Sequence, residues 1–74
     1  MKFNERIRSL REDQDKTQTD MAKIFKTSQR RISRLETGEI QPTLLDIQQY
    51  CEYFDQSADY ILGFTDKQKP LPKD

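Results

Sequence analysis

Between Ser28 and Glu36 the chain carries Gln29, Arg30, Arg31, Ser33 and Arg34 among only two aliphatic residues, Ile32 and Leu35. Projected as a helix with Ile32 as origin, Leu35, Glu36 and Ser28 fall within about 60° of it, whereas Arg30 and Arg34 fall near ~160° and ~200°. Gln29 and Ser33 flank those arginines on one side and Arg31 on the other, so the outward face holds three guanidiniums, an amide and a hydroxyl without one carboxylate. Arg bridges guanine O6 and N7, and Gln bridges adenine N6 and N7, so this face has the chemistry that reads base edges in a duplex. The bland alternative is a solvated face whose arginines serve solubility.

A second chemistry is harder to assemble. Histidine is absent and Cys51 is the single cysteine, so no metal-ligand set and no Cys–His pair arises. Cys51 falls on the apolar face of a helix and reads as core, and the carboxylates are scattered rather than convergent. No enzymatic activity, cofactor or metal is expected. No run of about 18 apolar residues marks a membrane span and the start lacks a secretory stretch, so a cytoplasmic protein with no membrane partner is expected.

The helices that must position the basic face can be placed by apolar spacing and caps. Phe3, Ile7 and Leu10 recur on one face of a first helix over Asn4 to Asp13, with Arg6, Arg8 and Glu12 elsewhere. Thr17 with Asp20 forms a capping box for a second, short helix bearing Met21, Ala22, Ile24 and Phe25. Thr27 is placed to cap the third. Gly38 and Pro42 bound a turn, and Thr43 with Asp46 opens a fourth helix whose shared face is Leu44, Ile47, Tyr50, Cys51 and Phe54. Ser57 caps a last helix over 58–62, closed by Gly63, and 65–74 reads as a mobile tail beyond a domain spanning 1–64.

Two short helices joined by a tight turn, the second basic outside and apolar inside, form a helix-turn-helix. The net charge of zero hides a polarised chain: 10 Lys and Arg against 5 Asp and Glu in residues 1–35, and 3 against 8 in 36–74. The first half attracts polyanions and the second repels them.

The stretch from Gln18 to Glu36, QTDMAKIFKTSQRRISRLE, resembles the phage repressor-like (XRE) helix-turn-helix family. Arg11 and Glu12, the Glu36–Gly38 segment, Pro42 to Leu44 and the SADYILG run at 57–63 extend the resemblance over roughly residues 3 to 64. It implies an all-α, five-helix domain of the lambda repressor-like DNA-binding type, with helices 2 and 3 as the helix-turn-helix. It implies base contacts by Ser28, Gln29, Arg30 and Arg34, and a phosphate contact by Gln18 at the positive end of its helix. Lys23, Lys26, Arg31 and Thr43 are further candidates for the DNA backbone, and Arg11 with Glu36 would form a structural ion pair.

The sequence departs from the family at Lys26, a position in the turn where glycine is common, which puts a non-glycine residue in left-handed geometry. Asp15 and Lys16 replace a frequent Gly–Leu pair, Gln56 stands where an apolar residue is usual, and Glu39 places negative charge in the following loop. The leading expectation is a sequence-specific regulator, a repressor, bound to double-stranded DNA as a homodimer. Leu45, Tyr60, Ile61 and Phe64 would supply the two-fold contact; the competing reading is that Ile61 and Phe64 close the core of one chain. The alternative function is a protein-interaction module, such as an antitoxin holding a protein partner, with or without DNA binding.

Overall fold

Each helix begins where a side chain can satisfy an amide that the helix itself cannot. In the computed structural model, which describes residues 1–68 and residue 70, five helices follow in order: α1 Phe3–Asp13, α2 Gln18–Ile24, α3 Gln29–Thr37, α4 Leu44–Phe54 and α5 Ala58–Ile61. Thr17 and Asp20 close the expected box at α2: the Asp20 amide donates to Thr17 Oγ1 at 3.0 Å and the Thr17 amide to Asp20 Oδ2 at 2.9 Å. Thr43 and Asp46 do the same at α4, at 3.1 and 2.8 Å respectively. The cap of α3 is Ser28, not Thr27 as the sequence suggested: Ser28 Oγ accepts from the Arg31 amide at 3.1 Å, while the Thr27 amide still donates to Ala22 O at 2.9 Å and so belongs to the closure of α2.

Left-handed residues set the turns. Asp15, Lys26 and Asp55 have φ of 56°, 55° and 52°, and Gly38 has 80°. Asp15 and Lys26 are the two places where the sequence departs from glycine-containing turns, and both adopt the geometry that glycine would supply. Gly63, at φ 85°, is required for a further reason: a Cβ there would collide with the carbonyl oxygen of Met1.

The core gathers Ile7 and Leu10 of α1, Met21 and Ala22 of α2, Ile32 and Leu35 of α3, Tyr50, Cys51 and Phe54 of α4, and Tyr60 and Ile61 of α5. Phe25 meets Tyr50 edge-on with centroids 4.8 Å apart, and Phe3 and Tyr53 extend this aromatic wall. Burial pushes the Cys51 thiol and the Tyr50 hydroxyl above their ordinary pKa ranges.

Further sequence expectations need correction. Leu44, assigned to the inward face of α4, is 86% exposed; it stands in the first turn, where the inward position is taken by Asp46. Ile61 is wholly buried and Tyr60 nearly so, whereas Phe64 is exposed, so of the two competing readings of the last helix Ile61 closes the core and Phe64 does not. Arg6, assigned away from the core, is buried: its guanidinium lies 4.0 Å from the Tyr60 ring centre and donates to Thr65 O at 3.2 Å and Asp66 Oδ1 at 2.9 Å. Beyond the last helix, Gln68 donates to the Tyr60 hydroxyl at 3.2 Å. Residues 69 and 71–74 of that expected tail lie outside the described residues.

Candidate nucleic-acid interface

The outward face of α3 is held by what lies beneath it. Ile32 and Leu35 are each 1% exposed and seat the helix on α1 and α2, so Ser28, Gln29 and Arg30 are left exposed at its start. Ser28 spends an Oγ lone pair on the Arg31 amide, which leaves its hydroxyl proton free to donate.

The three guanidiniums, alike in sequence, differ in surroundings. Arg30 is exposed and has no ion-pair partner among the described residues. Arg34 has its Nε 3.6 Å from Glu39 Oε2, which leaves its two Nη groups for other acceptors. Arg31 donates through both Nη atoms to Asp46, at 2.6 and 2.8 Å, and its side chain is 35% exposed. The bond to Arg31, against the cost of burial, holds the Asp46 carboxyl below the usual carboxylate range, with the Thr43 amide and hydroxyl adding to it. The face expected to be clear of carboxylates is thus approached by two of them from outside the helix, Glu39 from the loop and Asp46 from α4.

Beneath the start of α3 lies a polar chain. Arg11 donates through Nε and Nη2 to Glu36 at 2.7 and 2.9 Å, and through Nη1 to the Lys16 carbonyl at 2.8 Å, so it ties α1 both to α3 and to the turn before α2. The Glu36 side chain is 2% exposed. Its Oε1 also accepts from Gln18 Nε2 at 3.1 Å, and Gln18 Oε1 in turn accepts from Gln29 Nε2 at 2.6 Å. Of the residues assigned to the DNA backbone, Lys23 and Lys26 are exposed without an ion-pair partner among the described residues, Thr43 caps α4, and Gln18 is bonded on both sides.

Sequence reasoning missed Asp46 and Gln18–Gln29 as partners at this face. The Asp46 signal was present as a capping residue, and its second duty depends on where α4 lies. Gln18 and Gln29 each stand at the first position of their helices, so the turn that brings α2 and α3 together also brings these amides together.

Among the described residues no group of three or more His, Cys, Asp or Glu is arranged to hold a metal ion, and no helix is long and apolar enough to cross a membrane. No curated protein and no solved structure matches the chain. A family model described as helix-turn-helix matches residues 7–61, from the middle of α1 to the end of α5. With α2 and α3 joined by a tight turn and a polar, basic α3 turned outward, the chain belongs to the XRE, phage repressor-like helix-turn-helix family of DNA-binding transcription regulators.

Proposed function

We propose that this protein is a sequence-specific repressor that lays α3 in the major groove of double-stranded DNA, acting in the cytoplasm as a homodimer on a near-palindromic operator. The observation that carries the reading is the exposure at the leading end of α3 of Gln29 and of Arg30, which has no ion-pair partner among the described residues, above an anchor of buried Ile32 and Leu35. Arg30 and the free Nη groups of Arg34 suit guanine, Gln29 suits adenine, and the Ser28 hydroxyl suits an acceptor of either kind. Lys23 and Lys26 supply charge to phosphates, while Gln18, Thr43 and the paired Arg31 supply position.

The two-fold contact rests on Leu45 and Phe64, which are 61% and 80% exposed, rather than on the buried Tyr60 and Ile61. Dimerisation would set two α3 helices about 34 Å apart, one DNA turn.

Selection of bound sequences from random duplex DNA tests binding, specificity and half-site spacing together. Enrichment of a paired motif with log affinity falling against log salt, at about −0.9 per phosphate contacted, is expected. Arg30→Ala and Arg34→Ala should each relax the motif at a defined base pair. Recovery of no motif, or affinity indifferent to salt, refutes the proposal. A second reading, a module that holds a protein partner, is favoured by exposed Leu44, Leu45 and Phe64 beside an acidic second half. A stoichiometric protein complex that survives Arg30→Ala and Arg34→Ala together would support it.

A further inference from the structure

We infer that Glu39 determines specificity at one base pair: by holding Nε of Arg34 it leaves that guanidinium its two-Nη end for a guanine edge and keeps it off the phosphates; the inference rests on the proposed contact between Arg34 and a base. The pairing begins in the backbone. Gly38, at φ 80°, turns the chain back at the end of α3, so that the Gly38 amide donates to Leu35 O at 3.4 Å and the Glu39 amide to Arg34 O at 3.0 Å. The Thr37 hydroxyl donates to that same Arg34 carbonyl at 3.2 Å. This is the Schellman close of a helix, in which the residue after the left-handed one is carried back over the residue five before it, commonly to make an apolar contact. Here the two side chains so matched are Glu39 and Arg34, and Glu39 Oε2 stands 3.6 Å from Arg34 Nε.

A guanidinium offers a pair of parallel donors along its side, Nε with one Nη, and another across its end, Nη with Nη. The two paired arginines of α3 are held at opposite places. Asp46 takes both Nη atoms of Arg31 and occupies its end, whereas Glu39 takes Nε of Arg34 and leaves the end open. Two parallel donors match the O6 and N7 acceptors of guanine; adenine turns the N6 donor toward one of them and is rejected. Charge adds a second effect. An unpaired guanidinium at the groove is drawn to any phosphate whatever the sequence, and the Glu39 carboxylate offsets that attraction while the Nη donors keep their directions. Glu39 is a positioning residue in this scheme, since it need not touch the base.

A carboxylate that merely repels the DNA backbone has different consequences. Removing it strengthens binding to every sequence alike and leaves each preference in place, whereas removing a positioning group flattens the preference at one base pair. The experiment compares the intact protein with its Arg34→Ala and Glu39→Ala variants and with the double variant. Each is titrated, at several salt concentrations, with duplexes carrying the four base pairs in turn at every position of the selected motif. Thermal unfolding reports folding, which Glu39→Ala spares because that side chain is 62% exposed and its amide bond to Arg34 O is retained.

Arg34→Ala is expected to erase a guanine preference at one position, where a good bidentate contact discriminates by about 5- to 150-fold. Glu39→Ala is expected to erase most of the preference at that same position and spare the others. The freed guanidinium then takes a phosphate, so log affinity against log salt is expected to steepen by up to about 0.9 in Glu39→Ala. The double variant, which lacks that guanidinium, is expected to lose the added slope. If Arg34→Ala changes no position, the base contact fails and the role of Glu39 with it. If Arg34→Ala flattens a position that Glu39→Ala leaves intact, Glu39 positions nothing and its role is overturned while the base contact stands. Added slope that persists in the double variant overturns the part given to phosphate capture.

Discussion

Arg11→Ala probes the tie on which the first three helices converge. It removes two charge-assisted bonds to Glu36, at 2.7 and 2.9 Å, and the bond to the Lys16 carbonyl at 2.8 Å. Because the Glu36 side chain is 2% exposed, water does not replace the guanidinium, and Gln18 alone remains to solvate the carboxylate. Stranding one member of a buried pair costs about 3 to 5 kcal/mol. At roughly 0.05 to 0.15 kcal/mol per residue, a chain of 74 residues has about 4 to 11 kcal/mol in total, so the variant stands near the edge of folding. The midpoint of thermal unfolding, followed by circular dichroism, is expected to fall by about 12 to 40 °C, at ~4 to 8 °C per kcal/mol for a domain of this size. The double variant Arg11→Met with Glu36→Leu removes both charges. It is expected to be more stable than Arg11→Ala alone, although the Lys16 carbonyl and the Gln18 amide lose partners worth about 1 kcal/mol each. A loss below about 1 kcal/mol in Arg11→Ala, or a double variant less stable than the single, would refute the stranded-charge reasoning.

The Asp46 carboxyl is held below its ordinary range chiefly by Arg31, so its folded pKa lies under the unfolded value of about 3.9. Its contribution is full above the unfolded pKa and fades as pH falls through the folded one. The stability gap between the intact protein and Asp46→Asn, read by urea unfolding, should be flat from pH 7 to about 5 and narrow below about 3.9; a gap unchanged into strong acid would contradict the pairing. Gly63→Ala meets both left-handed strain of about 1 to 2 kcal/mol and the carbonyl of Met1, whereas Gly38→Ala meets the strain alone, its Cβ lying 3.6 Å from the Asn4 side chain. Thermal melts should therefore rank Gly63→Ala well below Gly38→Ala, and the reverse order would be wrong for this geometry. Lys26→Gly relieves strain of about 1 to 2 kcal/mol at φ 55° against ~0.5 to 1 kcal/mol of added chain entropy. It should melt higher by a few degrees while binding DNA more weakly, and a lower melting point would contradict the first half of that expectation.

What could be read from the sequence depended on the distance over which its cause acts. The boxes at Thr17 with Asp20 and Thr43 with Asp46, and the left-handed close at Gly38, are settled within three or four residues, and the spacing of Ile7, Leu10, Ile32 and Leu35 marks the core faces. The α3 cap was misplaced by one residue because Thr27 and Ser28 are chemically equivalent caps; the left-handed Lys26 decides between them by keeping the Thr27 amide on Ala22. Arg6, Arg31 and Leu44 were misjudged for a different reason. A helical projection ranks residues around one helix, but Arg6 finds Tyr60, Thr65 and Asp66 and Arg31 finds Asp46 only once distant segments have met. Leu44 is exposed because it precedes the part of α4 that the other helices cover.

The pairing of charges around α3 narrows how it can recognise a duplex. Of its guanidiniums, Arg31 is locked by Asp46, which Thr43 locks in turn, so it contributes geometry and little field. Arg34 shares its Nε with Glu39 at a looser 3.6 Å, and Arg30 is unshared among the described residues. Among the described residues the free cations near the turn are therefore few, Arg30 with Lys23 and Lys26, on a chain whose net charge is zero. So few charges release few counterions, and the non-specific term they provide is correspondingly small. In the proposed complex discrimination must then come from directed hydrogen bonds. Ser28, Gln29 and Arg30, exposed at the start of α3, are the groups placed to make them.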